Sequence, residues 1–158
     1  FFMAGRLVSY KRFDLAIKAF NELGWPLKIA GIGSEMKRLK KMSRDNIEFL
    51  GLISDKELAY MYAHARAFIF PQEEDFGITP LEAMASGRPV IAYRGGGALE
   101  TVKEGETGMF FNEQTEKSLV ETLEKLDFNS FDPLKCREQA MKFDVSVFKE
   151  NIFKYLNI

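Results

Sequence analysis

Two carboxylates, Glu74 and Glu82, stand eight residues apart in the run Pro71-Gln72-Glu73-Glu74-Asp75-Phe76-Gly77-Ile78-Thr79-Pro80-Leu81-Glu82-Ala83-Met84. Pro80 fits the first turn of a helix, where its missing N–H costs nothing. That places Glu74 on a loop and Glu82 on the helix's first turn. Between them the N–H groups of Gly77, Ile78 and Thr79 lie free at the positive end of the helix dipole, a ready site for phosphate. A carboxylate beside such an end can accept hydrogen bonds from sugar hydroxyls. One short segment could therefore hold a phosphate between two hydroxyl-binding groups. That is the outline of a nucleotide-sugar: ribose, diphosphate, hexose. Two acids also suggest glycosidase chemistry. Both belong to one segment, however, and neither is clearly placed to protonate a glycosidic oxygen. Glu73 and Asp75 read as solvent-facing neighbours, and Phe76 as a ring packed beneath the loop that fixes its shape.

Other residues have weaker signals. Gly31-Ile32-Gly33 follows a strand-like run and invites a dinucleotide-binding reading, but Met36 stands where a third glycine would be. A tight strand-to-helix turn explains the same glycines. Leu52 and Ile53 follow another strand and are either core or a contact surface. Gly95-Gly96-Gly97 leads to Glu100 and is either a flexible turn or part of the same site. His64 is the only histidine and Cys136 the only cysteine. Neither has a partner in sequence for metal binding or nucleophilic catalysis. The basic run Lys37-Arg38-Leu39-Lys40-Lys41 is either a solvated helix face or a peripheral membrane contact.

The elements that must position these residues alternate. Strands are predicted over 1–7, 26–30, 47–50, 66–70, 89–93 and 109–111. Helices are predicted over 13–23, 35–42, 55–64, 80–86, 98–102, 116–126, 132–142 and 145–156. Phe13, Ala16, Ile17, Phe20 and Leu23 recur at helical spacing. Ser34 and Thr115 read as N-caps, and Ser54 with Glu57 as a capping box. Alternating strands and helices imply an α/β domain whose parallel sheet is covered on both faces. In such sheets ligands bind at the carboxyl ends of the strands. The loops 5–12, 31–34, 51–54, 71–79 and 94–97 all follow strands and should share one rim.

The 158 residues suit a single domain, and 46% hydrophobic with 28% charged residues is ordinary for a globular one. Fifteen Phe supply core material, and the net charge of −1 gives no field favouring nucleic acid. No apolar run approaches the roughly 20 residues that span a bilayer. A lone cysteine fits a reducing, cytoplasmic compartment. The first residue is Phe, within a run that already reads as strand, so the chain is expected to be a piece of something longer.

The block Pro71-Gln72-Glu73-Glu74-Asp75-Phe76-Gly77-Ile78-Thr79-Pro80-Leu81-Glu82-Ala83-Met84-Ala85-Ser86-Gly87-Arg88-Pro89-Val90 resembles the donor-site signature of retaining GT-B glycosyltransferases of the group 1 type. The resemblance extends over nearly the whole chain, from Gly5-Arg6-Leu7 onward. It implies a Rossmann-like sheet forming one half of a GT-B fold: residues 1–158 would be the donor-binding domain, and an acceptor-binding N-terminal domain would lie outside this chain. It implies that Arg6 and Lys11 hold the donor diphosphate, which suits the cationic help a leaving nucleoside diphosphate needs. Arg12 stands where many relatives have glycine and could point into solvent. The turn at Gly31 and Gly33 would lie near base and ribose, with Leu52 and Ile53 against the base. Glu82 would hold the ribose, and Glu74 would either support an oxocarbenium-like state or orient the sugar. The expected reaction moves a hexose from a nucleotide-diphosphate sugar to a glycan or lipid-linked acceptor, at the inner face of a membrane or in the cytoplasm, with no metal. Of known groups the run is most similar to mannosyltransferases, so GDP-mannose is the first donor expected and UDP-sugars the second. The rivals are a nucleotide-sugar binding or regulatory module without turnover, and a nicotinamide-type enzyme, against which the missing third glycine speaks.

Overall fold

A computed structural model describes residues 1–156. Six parallel strands form one sheet in the order β3-β2-β1-β4-β5-β6. They are β1 (Phe2–Ala4), β2 (Leu27–Ala30), β3 (Ile47–Gly51), β4 (Phe68–Phe70), β5 (Val90–Tyr93) and β6 (Gly108–Phe111). Helices α1 (Phe13–Leu23), α2 (Met36–Met42), α3 (Asp55–His64), α4 (Ile78–Ala85), α5 (Ala98–Thr101) and α6 (Glu116–Lys125) alternate with them. Two more, α7 (Pro133–Met141) and α8 (Val145–Leu156), follow. The architecture is the expected Rossmann-like α/β sheet with helices on both faces.

The apolar strand runs are split by the two-residue period of a strand. Met3, Ile29, Ile69, Ile91 and Phe111 face one core, with Phe13, Ile17 and Phe20 of α1 and Leu119 and Leu123 of α6. Phe2, Ala4, Phe68, Phe70, Val90 and Ala92 face the other, with Tyr62 of α3, Met84 of α4 and Cys136 of α7. Such runs are continuous because both faces are covered. Each fully buried Phe contributes about 1.5–3 kcal/mol.

Several boundaries differ from the sequence reading. β1 ends at Ala4 rather than residue 7, and Ser9–Lys11 forms a short 3-10 turn within the expected loop. β4 begins at Phe68, two residues later than expected. α2 begins at Met36, and Ser34 does not cap it: its N-cap is Glu35, without a side-chain cap. α4 begins at Ile78, with Gly77 as a left-handed N-cap (φ 81°). Pro80 therefore lies third in that helix, and Glu82 in its second turn rather than its first. The capping box of Ser54 and Glu57 and the Thr115 cap stand as read. α8 carries Val145, Phe148, Phe153, Tyr155 and Leu156, all exposed, and no buried residue.

The strand order reverses at β1, which pairs with β2 on one side and β4 on the other. The crevice beyond the ends of those strands is where such sheets bind ligands. The loop after β1 carries Arg6 and Lys11, and the loop after β4 carries Glu74. Chain connectivity alone thus sets the cations against the acid.

Candidate functional site

The loops after β1, β2 and β3 close on one another. Gly5 N–H donates to Ala30 O (3.0 Å), Leu7 N–H to Ile32 O (3.0 Å) and Gly31 N–H to Gly51 O (2.7 Å). A Cβ on Gly31 would overlap the carbonyl oxygen of Gly5, and one on Gly33 that of Leu7. Both glycines are needed for backbone to lie against backbone, with or without a ligand. The result is an open pocket of about 720 Å³ lined by Gly5, Arg6, Gly31, Ile32, Gly33, Leu52, Ile53 and Leu58. Five expected residues, Arg6, Gly31, Gly33, Leu52 and Ile53, come together there. Leu52 is exposed rather than core. The lining is mostly apolar, with Arg6 its one charged side chain. Arg6 is exposed, and among the described residues no carboxylate pairs with it.

Lys11 does not line that pocket. It faces a second opening of about 380 Å³, with Tyr10, Glu73, Glu74, Asp75, Phe76 and Gly77. Lys11 Nζ forms an ion pair with Glu74 Oε1, and both side chains are half-buried. Burial lowers Lys11 from the ordinary lysine value. Glu74 Oε1 is shut off from solvent and accepts no conventional hydrogen bond. The geometry at Lys11 is ionic contact, so the pair and that orphan oxygen describe one arrangement. Glu74 is tied by its backbone as well: Gly97 N–H donates to Glu74 O (2.7 Å), which draws the loop 94–97 onto the acidic loop.

The N–H groups of Gly77, Ile78 and Thr79 have no internal acceptor among the described residues. They open α4, and its N-cap Gly77 lines the second opening. The ring beneath the loop is Phe70, whose edge a Gly77 Cβ would touch at 3.0 Å. Phe76, expected there, lies instead on the surface, 41% exposed and edge-on to Phe143 (6.0 Å). The left-handed Gly77 turns the chain, so Phe76 points outward. Glu73 and Asp75 are exposed, as read.

Glu82 stands apart from Lys11 and Glu74. It lines a third pocket of about 270 Å³ with Asp55, Leu58, Ala59, Tyr62, Ala85 and Ser86, which meets the large pocket at Leu58. Tyr62 Oη donates to Glu82 Oε2 (2.8 Å). Burial and the Glu82 charge raise the Tyr62 phenol far above its ordinary value. Tyr62 was absent from the sequence reading. It lies twenty residues upstream on α3, and no local pattern links the two.

Arg12 does not simply face solvent. It is held with φ 52° and ψ 34°, the one non-glycine residue at positive φ among those described. Its guanidinium donates to Gln114 Oε1 (2.7 Å), another residue the sequence did not flag. The remaining candidates have structural settings. His64 Nδ1 lies 2.8 Å from Tyr60 O, with its ring stacked on Tyr60 (3.9 Å). Cys136 is buried and its thiol is pushed up to about 11, chiefly by desolvation. On the basic helix Leu39 is buried, Arg38 pairs with Glu35, and Lys37, Lys40 and Lys41 are exposed. Among the described residues no three His, Cys, Asp or Glu are grouped to hold a metal ion. No described helix is long and apolar enough to cross a membrane.

The arrangement therefore offers an apolar slot with a free guanidinium, a second opening with a cation–carboxylate pair and Gly77, and a carboxylate in a third pocket that meets the slot at Leu58. Against known proteins, residues 1–143 match the family described as Glycosyl transferases group 1. The chain is similar to an exopolysaccharide phosphotransferase of Streptomyces coelicolor, 34% identical over 137 residues, covering 78% of this chain and 14% of that protein. It is similar to a GDP-mannose-dependent alpha-mannosyltransferase of Corynebacterium glutamicum, 37% identical over 109 residues, covering 68% of this chain and 26% of that protein. In fold it resembles HepE of Anabaena, solved with UDP, at a TM-score of 0.85 and 22% identity, over 99% of this chain and 48% of that one. The chain thus spans less than half the length of each of these proteins. Its sheet is that of one half of a GT-B glycosyltransferase, and by sequence this chain belongs to the glycosyl transferases group 1 family.

Proposed function

We propose that this chain is the donor-binding half of a retaining hexosyltransferase, with a nucleotide-diphosphate sugar as donor and mannose as the first sugar to test. The observation that carries this reading is the unpaired Arg6 in the lining of the apolar pocket, on the same loop after β1 as Lys11, whose own opening holds Glu74 and Gly77. A base fits the slot between the Gly31–Gly33 turn and Leu52–Ile53. The ribose reaches Glu82 past Leu58. The diphosphate takes Arg6, the α4 amides and Lys11. A diphosphate carries more charge than one carboxylate, so it competes with Glu74 for Lys11. Glu74, released, faces the sugar, where it supports positive charge at the anomeric carbon or orients a hydroxyl. Arg6 and Lys11 stabilise the departing diphosphate, charge that grows in the transition state. The acceptor, a glycan or a lipid-linked sugar, binds a second domain outside this chain, and this half alone turns over little. A chelator is expected to leave donor binding unchanged.

Calorimetric titration with GDP, GDP-mannose, UDP, UDP-glucose and NAD tests the reading. The Corynebacterium relative is named for GDP-mannose, and HepE was also solved with UDP-glucose, so both bases belong in the panel. One diphosphate series should bind and NAD should not. Arg6→Ala should weaken the diphosphate about 10- to 100-fold, the size of a charge-assisted contact, and the nucleoside hardly at all. Equal losses for both would sink the diphosphate assignment.

A further inference from the structure

Two loops carry the charged groups of the site, and they are joined in two places. One join is the Lys11–Glu74 pair. The other runs through Gln114, which follows β6 and precedes the capped start of α6. Arg12 donates to Gln114 Oε1 at 2.7 Å, and Gln114 Nε2 donates to Pro71 O at 2.9 Å. Pro71 begins the acidic loop, and Arg12 ends the basic one. We propose that Gln114 is a positioning residue, forming with Arg12 a strut that fixes the spacing between Lys11 and Glu74. Its consequence for ligands rests on the nucleotide-diphosphate reading above.

Three observations support the strut. Both ends of the Gln114 amide are used, one as acceptor and one as donor, so its orientation is determined by its partners. A carboxylate there would serve Arg12 and face the Pro71 carbonyl oxygen with a repelling oxygen. Second, Arg12 holds a left-handed backbone that glycine would adopt freely, so the strain is offset by what its side chain reaches. Third, Gln114 is anchored by elements outside both loops: β6 lies beside β5, and Thr115 caps α6. The strut therefore refers both loops to the rigid sheet. Without it, the Lys11–Glu74 pair is the one join left between the basic and the acidic loop among the described residues.

The test uses Gln114→Met, Gln114→Glu and Arg12→Gly in this chain, with two readouts. The first needs no ligand. A double-mutant cycle of Lys11→Met and Glu74→Gln, read from urea unfolding, measures the Lys11–Glu74 coupling in the parent and in each variant. The coupling should fall by half or more in all three variants, while Arg12→Gly, freed of backbone strain, stays close to the parent in overall stability. Coupling unchanged in Gln114→Met and Arg12→Gly overturns the strut. The second readout is titration with GDP and UDP against guanosine and uridine. Diphosphate affinity should fall about fivefold, the worth of one hydrogen bond, with nucleoside affinity unchanged. Unchanged diphosphate affinity, or equal loss for the nucleoside, also overturns it. A parent that binds neither diphosphate defeats the donor reading instead, and the coupling alone then decides the strut.

Discussion

Tyr62 and Glu82 show how much a single contact can direct. The phenol occupies one carboxylate oxygen of Glu82, and both residues line the same pocket. Tyr62→Phe keeps the ring packed against Phe2 and Phe68 and removes only that bond. It should cost about 1 kcal/mol in urea unfolding and blur the preference for ribose over deoxyribose nucleotides in titration. Gly31→Ala is expected to be harsher. Its φ of 130° and the Gly5 carbonyl both oppose a side chain, and a loss of about 2 kcal/mol or more is the expected result. Cys136, buried with its thiol raised to about 11, should react with iodoacetamide at pH 7 only after denaturation.

At the scale of elements, α3 has a clear start. Ser54 Oγ accepts from Glu57 N–H (3.3 Å), and the Glu57 carboxylate accepts from Ser54 N–H (2.8 Å) and Oγ–H (2.7 Å). Ser54→Ala should cost about 1 kcal/mol. The same bonds hold Glu57 below the ordinary glutamate value of 4.5. A lowered carboxylate adds stability above its unfolded value and loses it as pH falls through the folded one. The gap between parent and Ser54→Ala, followed by urea midpoint, should therefore narrow as pH drops below 4.5. At the other end of the chain, α8 buries no residue. Truncation after residue 144 should change the free energy of unfolding by less than about 0.5 kcal/mol.

For the whole molecule, the proposed donor binding should appear as stability. A ligand that binds only the folded state at about 100 times its Kd adds about 2.7 kcal/mol, a rise in Tm of roughly 5–10 °C for a chain of this size. GDP or UDP should produce that rise and NAD none, in a thermal scan. The site is a property of the whole sheet, because no single element holds it. Arg6 hangs from β1, the glycine turn from β2, Leu52 and Ile53 from β3, Glu74 from β4, and Gly97 N–H from the loop after β5.

What the chain's sequence determined alone is local or periodic. Six strands and eight helices were legible because apolar spacing and glycine or proline breaks are properties of neighbouring residues. Helix 13–23 and the capping box at Ser54 are of that kind, since caps act over three or four residues. The convergence of the loops on one rim also followed, because a parallel sheet leaves no other place for them. Tertiary structure decided the rest. It put Phe70 rather than Phe76 under the acidic loop, because Gly77, without a side chain, lies directly against the Phe70 ring. It paired Lys11 with Glu74, set Tyr62 on Glu82, and brought Gln114 between Arg12 and Pro71. Those partners lie from 20 to 102 residues apart, and side-chain hydrogen bonds at such separations follow from how the strands are ordered, which no window of sequence contains.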